Sequence, residues 1–269
     1  MRYDTLLSTK TPLVSIVIPT KNSAKTLPEL LQSIACQNLT NLETIVVDDF
    51  STDDTGGIAK AFRVQFYSVE GSRTQARNYG LKIAQGVYVF FVDSDMILQT
   101  GLVEECVKLC LDGGHQAIIV PEVDVGRGYW VSCLRLGKEI SRVERGHEAA
   151  RFFDRTLAEY LGGYDEKLLA GEDFDLHRRA QKLGLRFASS ESEIYHQVGD
   201  LSFFELMNKY RFYGKSIDTY RDKWKSEIHS SPDEFVRLVF RKRHLLLGNL
   251  IEAPGYFLIV LAQYVIQRH

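Results

Sequence analysis

Val87-Tyr88-Val89-Phe90-Phe91-Val92-Asp93-Ser94-Asp95 is an unbroken apolar run that ends in two carboxylates separated by one residue. A run without polar alternation reads as a strand buried on both faces, as in parallel sheets. The same texture recurs outward from it. Val14 to Pro19, Glu43 to Val47, Arg63 to Val69 and Ala117 to Val120 are short β-rich runs. Stretches of helical period lie between them. Leu27, Leu30, Leu31 and Ile34 mark one amphipathic helix, and Ser51-Thr52-Asp53-Asp54 offers side chains to cap a second. A third is expected from about Arg73 to Ala84, with Gly86 as its stop. Strands alternating with helices predict an α/β fold, an open, doubly wound, mostly parallel sheet flanked by helices. From Gly126 onward the pattern is less regular, with a helix expected over Glu172 to Leu183 and more in the tail.

The chain has 269 residues, 45% hydrophobic and 25% charged, enough to bury a large core and too apolar for extensive disorder. A net charge of −2 supplies no basic field, which argues against nucleic acid as a partner. Cys36, Cys106, Cys110 and Cys133 lack the paired spacing of zinc or redox sites and are few for a disulfide framework. A reducing compartment is the simplest reading. Cys106 and Cys110, four apart on an expected helix, should share a buried face. Met1 to Pro12 is polar and unlike a signal peptide, so the chemistry is expected on the cytoplasmic side.

In open α/β sheets, ligands bind at the carboxyl ends of the strands. Thr20-Lys21-Asn22, Asp48-Asp49 and Asp93-Ser94-Asp95 all fall at such ends, which predicts one shared site. Asp93-Ser94-Asp95 has two readings. It is either a solvated turn, or a set of hard oxygen ligands that holds a divalent cation against substrate phosphates. Of Asp48 and Asp49, one is expected to do only turn work. Arg73 and Arg77, four apart, share a helical face, which is either solvated or aimed at an anionic ligand. Glu172 and Asp173 open a helix on which Asp173, Leu176, Ala180 and Leu183 share a face; both acids are either dipole partners or a general base.

Five ordered motifs sharpen these alternatives. Val-Ser-Ile-Val-Ile-Pro-Thr-Lys-Asn (14 to 22), Val-Asp-Asp-Phe-Ser-Thr-Asp-Asp-Thr (47 to 55), Ala-Arg-Asn-Tyr-Gly (76 to 80), Phe-Val-Asp-Ser-Asp (91 to 95) and Gly-Glu-Asp-Phe-Asp-Leu (171 to 176) together resemble the family 2 glycosyltransferases. The resemblance covers roughly Pro12 to Gly214. It implies the GT-A fold, a sugar-nucleotide donor (a UDP- or GDP-sugar), a divalent cation (Mn2+ or Mg2+) and inversion at the anomeric carbon. By matched position it implies that Pro19, Thr20 and Asn22 line the nucleotide pocket and that Asp49 accepts a hydrogen bond from the base. Arg73, Arg77, Asp93 and Ser94 join the donor site. Asp95 is the firmer metal ligand, with Asp93 on the donor ribose or reaching the metal through water. Asp173, beside Glu172, is implied as the base that deprotonates the acceptor. His196 stands where many members of the fold place a histidine completing the metal or diphosphate site.

Two departures matter. The Q-x-x-R-W motif of processive synthases is missing after His196, which predicts the addition of one sugar. Lys21 replaces an aromatic residue common in relatives, which alters how the base is stacked. A polyprenyl-phosphate sugar synthase is the main alternative, although its anionic acceptor needs no base. A nucleotidyltransferase-like protein would carry a glycine-rich loop where Pro19-Thr20-Lys21-Asn22 has none, and a non-catalytic nucleotide-binding protein need not keep all these acids.

The expected organisation is an extension over 1–12, a GT-A catalytic domain over 13–215, and a C-terminal helical, membrane-associating appendage over 216–269. Arg241-Lys242-Arg243 leads into Leu245 to Ile266, whose Asn249, Glu252 and Pro254 interrupt a membrane span. An interfacial hairpin broken at Pro254-Gly255 fits better, with the basic residues at anionic headgroups. Packing on the catalytic domain, or a homodimer contact, is the other use of these helices. Membrane proximity points to a lipid-linked or glycan acceptor at the cytoplasmic membrane face.

Overall fold

The structure, a computed structural model, describes residues 11–142, 148–227 and 232–266. These divide into two compact units, one of 11–122 with 148–196 and the other of 123–142 with 197–227 and 232–266. Most of the expected N-terminal extension, residues 1–10, and part of the irregular stretch after Gly126, residues 143–147, lie outside the described residues.

The first unit alternates strand and helix as the apolar runs predict. β1 (Val14–Thr20) is buried along its whole length, and α1 (Leu27–Ala35) lays Leu27, Leu30, Leu31 and Ile34 against the core. β2 (Leu42–Asp48), α2 (Thr55–Ala61), β3 (Gln65–Ser68), α3 (Arg73–Ile83) and β4 (Tyr88–Phe91) follow. Asp53, not Asp54 at the N-cap, bonds at the start of α2: its carboxylate accepts from the Thr55 amide and hydroxyl. Ser72 caps α3 through a reciprocal box with Gln75. α3 ends before Gly86, so Gly86 is not its stop. Its amide donates to Ser15 Oγ and Glu43 Oε1, and a Cβ there would lie 2.6 Å from the Ser15 amide nitrogen. The glycine serves close strand packing instead.

β5 (Met96–Leu98), α4 (Leu102–Leu111), β6 (Ala117–Ile119) and β7 (Glu122–Val125) come next, and then α5 (Tyr129–Arg142), a helix not anticipated after Gly126. Cys106 and Cys110 of α4 are buried, and burial pushes the Cys110 thiol up to about 12. β8 (Ala150–Asp154), α6 (Arg155–Tyr160), α7 (Glu172–Lys182), β9 (Phe187–Ser189) and β10 (Ile194–Gln197) follow, and of the elements from β5 to β10 only α5 and most of β7 belong to the second unit. The expected α7 face holds except at its end. Leu176 and Ala180 are buried, but the helix stops at Lys182 and Leu183, at the C-cap, is exposed.

The main sheet has the order β3-β2-β1-β4-β8-β6-β9. Pairing is parallel from β3 to β4 and between β6 and β9; β8 alone runs antiparallel to both neighbours. Alternate residues fill opposite faces. Ile16, Ile18 and Phe90 enter one core, while Val17, Val89 and Phe91 enter the other. The chain winds outward from β1 through β2 to β3, then crosses back to place β4 on the other side of β1. In open α/β sheets such a reversal, here at the carboxyl ends of β1 and β4, is where the ligand crevice lies.

In the second unit, α8 (Phe203–Lys223) begins at a Ser202–Glu205 capping box and runs unbroken across 215–216. It is followed by α9 (Pro232–Arg241), α10 (Arg243–Gly248) and α11 (Glu252–Ile266). α5 packs closely on α11. A Cβ at Gly137 would meet the Tyr256 ring at 2.9 Å, and one at Gly255 would meet Cys133 Sγ at 2.5 Å. The expected break at Pro254-Gly255 falls instead at Asn249, the C-cap of α10. Pro254 sits in the first turn of α11, where its missing N–H removes no intrahelical bond. Among the described residues, no helix is long and apolar enough to cross a membrane.

Candidate functional site

Two loops meet at the crevice. The Asp49 amide donates to the Thr20 carbonyl, the Asn22 amide to Ser51 Oγ, and the Thr52 amide to Asn22 Oδ1. Ser23 and Ala24 amides are held by Thr55 Oγ1 and an Asp53 oxygen. The polar run from Asp48 to Thr55 therefore clamps the loop after β1. Asn22 takes the left-handed conformation this requires, at φ 51°. Asp48 is buried in the turn, accepting from the Ser51 amide and hydroxyl. Asp49 faces outward, with Lys21 Nζ 2.5 Å from Oδ2 and the Gly71 amide 3.3 Å from Oδ1. The Lys21 hydrogen bond, the largest influence, holds the Asp49 carboxyl below its usual range. Pro19 and Thr20 end β1, and the buried Thr20 Oγ1 has no hydrogen-bond partner among the described residues.

The Ser23 and Ser94 hydroxyls, 2.8 Å apart, join this loop to the end of β4. Asp93 turns inward there. Arg77 Nη2 lies 2.5 Å from its Oδ1 and Arg151 Nη1 lies 3.4 Å from its Oδ2. Burial opposes the charged form, but Arg77, Arg151 and Arg73 outweigh it and hold the Asp93 carboxyl well below the carboxylate range. Arg77 is fully buried on α3. It also reaches Glu172 Oε1 at 3.0 Å and Asp173 Oδ1 at 3.1 Å, with its guanidinium 4.9 Å from the Tyr164 ring centre. Arg73 adds a 2.7 Å contact to Glu172. Burial, helped by Asp173, raises the Glu172 carboxyl in spite of both arginines.

Three residues of the motif Ala-Arg-Asn-Tyr-Gly have distinct tasks. Arg77 binds three carboxylates, Asn78 exchanges hydrogen bonds with the Tyr164 backbone at 2.9 and 2.8 Å, and Gly80 lets α3 lie on Val17 of β1. α7 starts at Gly171, in the left-handed conformation at φ 78°. Glu172 and Asp173 do sit at its positive end, but their partner is a helix about 95 positions back along the chain, as Arg77 pairs with Glu172.

Asp95 points the other way and is 40% exposed. Antiparallel pairing of β10 with β5 sets His196 opposite Met96, the residue after Asp95. His196 Nε2 then lies 3.2 Å from Asp95 Oδ2, and Nδ1 lies 3.0 Å from Glu122 Oε1. Arg151 Nη2 binds Glu122 Oε2 at 3.0 Å. An unbroken chain of contacts thus runs Asp173, Arg77, Asp93, Arg151, Glu122, His196, Asp95. Pro19, Thr20, Asn22 and Asp49 form a neighbouring cluster. The sequence did not single out Arg151, Glu122 or Tyr164. The one available signal was Arg151, a charge set beside the apolar Phe152-Phe153 of an unassigned strand.

Asp95 and His196 offer an oxygen and a nitrogen donor on one side, suited to a small divalent cation. With bonds of about 2.1 Å, adjacent ligands of an octahedral ion are about 3 Å apart, which the Asp95–His196 separation fits.

Comparison with known proteins gives the family and the fold. The profile described as glycosyl transferase family 2 matches residues 15–154. Glycosyltransferase GlyG of Streptococcus pneumoniae is 39% identical over 99 residues, which are 34% of this chain and 33% of GlyG. Poly(ribitol-phosphate) beta-N-acetylglucosaminyltransferase TarS of Staphylococcus aureus is 35% identical over 115 residues, covering 39% of this chain and 20% of TarS. The chain therefore spans a third or less of these two curated relatives. Crystalline TarS 1–349 in complex with UDP-GlcNAc superposes with a TM-score of 0.58 and 19% identity, covering 93% of this chain and 81% of that one. Mannosyltransferase PcManGT of Pyrobaculum calidifontis, in complex with GDP-Man and Mn2+, gives 0.60 and 22%, covering 96% and 76%. At these identities the likeness establishes the GT-A fold.

Proposed function

We propose, from the premise that this chain belongs to glycosyl transferase family 2, that it moves one sugar from a UDP- or GDP-sugar to a hydroxyl of a lipid-linked or glycan acceptor, with inversion. The observation that carries this reading is the contact chain tying Asp173 to Asp93 and Asp95 at the crevice. The nucleoside lies against Pro19, Thr20 and Asn22, with the Asp49 carboxylate accepting a base N–H. Asp173 takes the proton of the acceptor hydroxyl as its oxygen attacks the anomeric carbon, and the bond to the nucleoside diphosphate breaks on the opposite face. Arg77 fixes Asp173 and Asp93 in one frame, so the base keeps its geometry relative to the donor. Glu172 and Arg73 brace that frame. Asp95 and His196 would hold Mn2+ or Mg2+, which when bound offsets charge on the departing diphosphate. Asp93, with both oxygens engaged by arginines, orients the donor side of the site beside Ser94.

The test separates chemistry from binding. Asp173→Asn should lower nucleotide release from UDP-GlcNAc or GDP-mannose, assayed with membrane lipid extract as acceptor, by about 100-fold or more. Calorimetric affinity for UDP or GDP should stay within about twofold. Unchanged turnover in Asp173→Asn would overturn the general-base assignment and favour a polyprenyl phosphate, which needs no base.

The second unit supports attachment to a cytoplasmic lipid surface. Phe240, Leu247, Leu250 and Ile251 are each more than two-thirds exposed, beside Arg241 and Arg243. Cosedimentation with vesicles containing anionic lipid should be lost in Leu250→Glu/Ile251→Glu; equal binding by this variant would exclude the attachment.

A further inference from the structure

We infer that Glu122 is a positioning residue for the cation site, fixing the His196 ring so that Nε2 presents its lone pair beside Asp95. The inference rests on the reading of Asp95 and His196 as the cation ligands. The His196 ring lies between two carboxylates, Glu122 on Nδ1 at 3.0 Å and Asp95 on Nε2 at 3.2 Å. A neutral imidazole donates from one nitrogen only, so one carboxylate receives the proton and the other faces a lone pair.

The two acceptors are not equivalent. Glu122 is 18% exposed, and its other oxygen is gripped by Arg151, itself anchored on Asp93. Asp95 is 40% exposed. The held acceptor takes the Nδ1 proton, which leaves nitrogen and oxygen donors converging on the open side. A carboxylate behind a ligating histidine fixes ring orientation and raises its basicity, and losing such a partner typically costs about 10- to 100-fold in metal affinity. The same Arg151 that holds Glu122 also holds Asp93, so the cation side and the base side of the crevice share one rigid brace.

The experiment is Mn2+ binding to the full chain, without donor, followed by the electron paramagnetic resonance of free Mn2+. Glu122→Gln keeps an oxygen for Arg151 and removes the charge behind His196. It should weaken Mn2+ about 10-fold or more and leave metal-free UDP binding unchanged. In a His196→Gln background, which has no Nδ1, adding Glu122→Gln should cost nothing further. If Glu122→Gln does not fold, Glu122→Asp, which keeps the charge but draws it back from Nδ1 by one methylene, must itself weaken Mn2+ by about 10-fold or more, and wild-type affinity in it overturns the positioning role. Wild-type Mn2+ affinity in Glu122→Gln, with affinity lost in Asp95→Ala, overturns the positioning role and leaves the cation site standing. Wild-type affinity in Asp95→Ala overturns the cation site itself.

Discussion

Arg77 Nη2 lies 2.5 Å from Asp93 Oδ1, and the guanidinium making this contact is fully buried on α3. A cation without access to water is tolerated because Asp93, Glu172 and Asp173 surround it. Removing it leaves three acids facing each other in a low-dielectric site. Arg77→Met should therefore destabilise the chain by about 3–5 kcal/mol, the usual consequence of stranding buried charge. Arg77→Lys should recover only part, because an ammonium cannot span all three carboxylates. Urea denaturation measures both; a loss below about 1 kcal/mol for Arg77→Met would contradict the buried-brace description.

His177 of α7 is buried, its Nδ1 accepting from the Ala150 amide at 3.1 Å. Burial, with Arg178 nearby, depresses its pKa from 6.5 to about 4. The unfolded chain therefore binds the proton first, and stability is lost as pH falls from about 6.5 toward 4, by up to about 3 kcal/mol. His177→Asn, which keeps an acceptor near Nδ1, should flatten this window in denaturation measured from pH 7 to 4. An unchanged slope would assign the acid sensitivity elsewhere.

Gly80 faces Val17 so closely that a Cβ would stand 2.3 Å from Val17 Cγ1. Alanine is the better helix former, yet Gly80→Ala should destabilise by about 1–3 kcal/mol through overpacking between α3 and β1. A thermal melt at or above the wild-type midpoint would show that the helix can shift without cost.

Lys21 and Asp49 form an exposed pair, with Lys21 61% exposed, so it contributes at most about 1 kcal/mol to folding. Asp49→Ala should leave the melting midpoint nearly unchanged but weaken UDP or GDP about 10-fold or more, since in the proposed donor site it removes a charged acceptor from the base. Titration calorimetry decides the matter, and undiminished affinity for both nucleotides would remove Asp49 from the pocket.

The sequence by itself determined the strands and helices of the sheet's first half, because strands covered on both faces must be continuously apolar. Val14 to Pro19 and Val87 to Val92 read as interior strands, and β1 and β4 (Tyr88–Phe91) are buried along their length. It also placed polar residues at the strand ends, and hence the crevice. Only the tertiary structure decided which acid meets which base. Four-residue spacing allowed Arg73 and Arg77 a solvated face. The burial of Arg77 and the contact of both arginines with Glu172 depend on α7, and the pairing of Asp93 depends also on Arg151 of an antiparallel strand that no local pattern announced. Likewise, the register of β10 on β5 brings His196 to Asp95 across about 100 residues of chain. The physical reason is range. Periodicity and capping act within a few residues, whereas a buried ion pair takes its partners from whichever elements the packed core sets side by side.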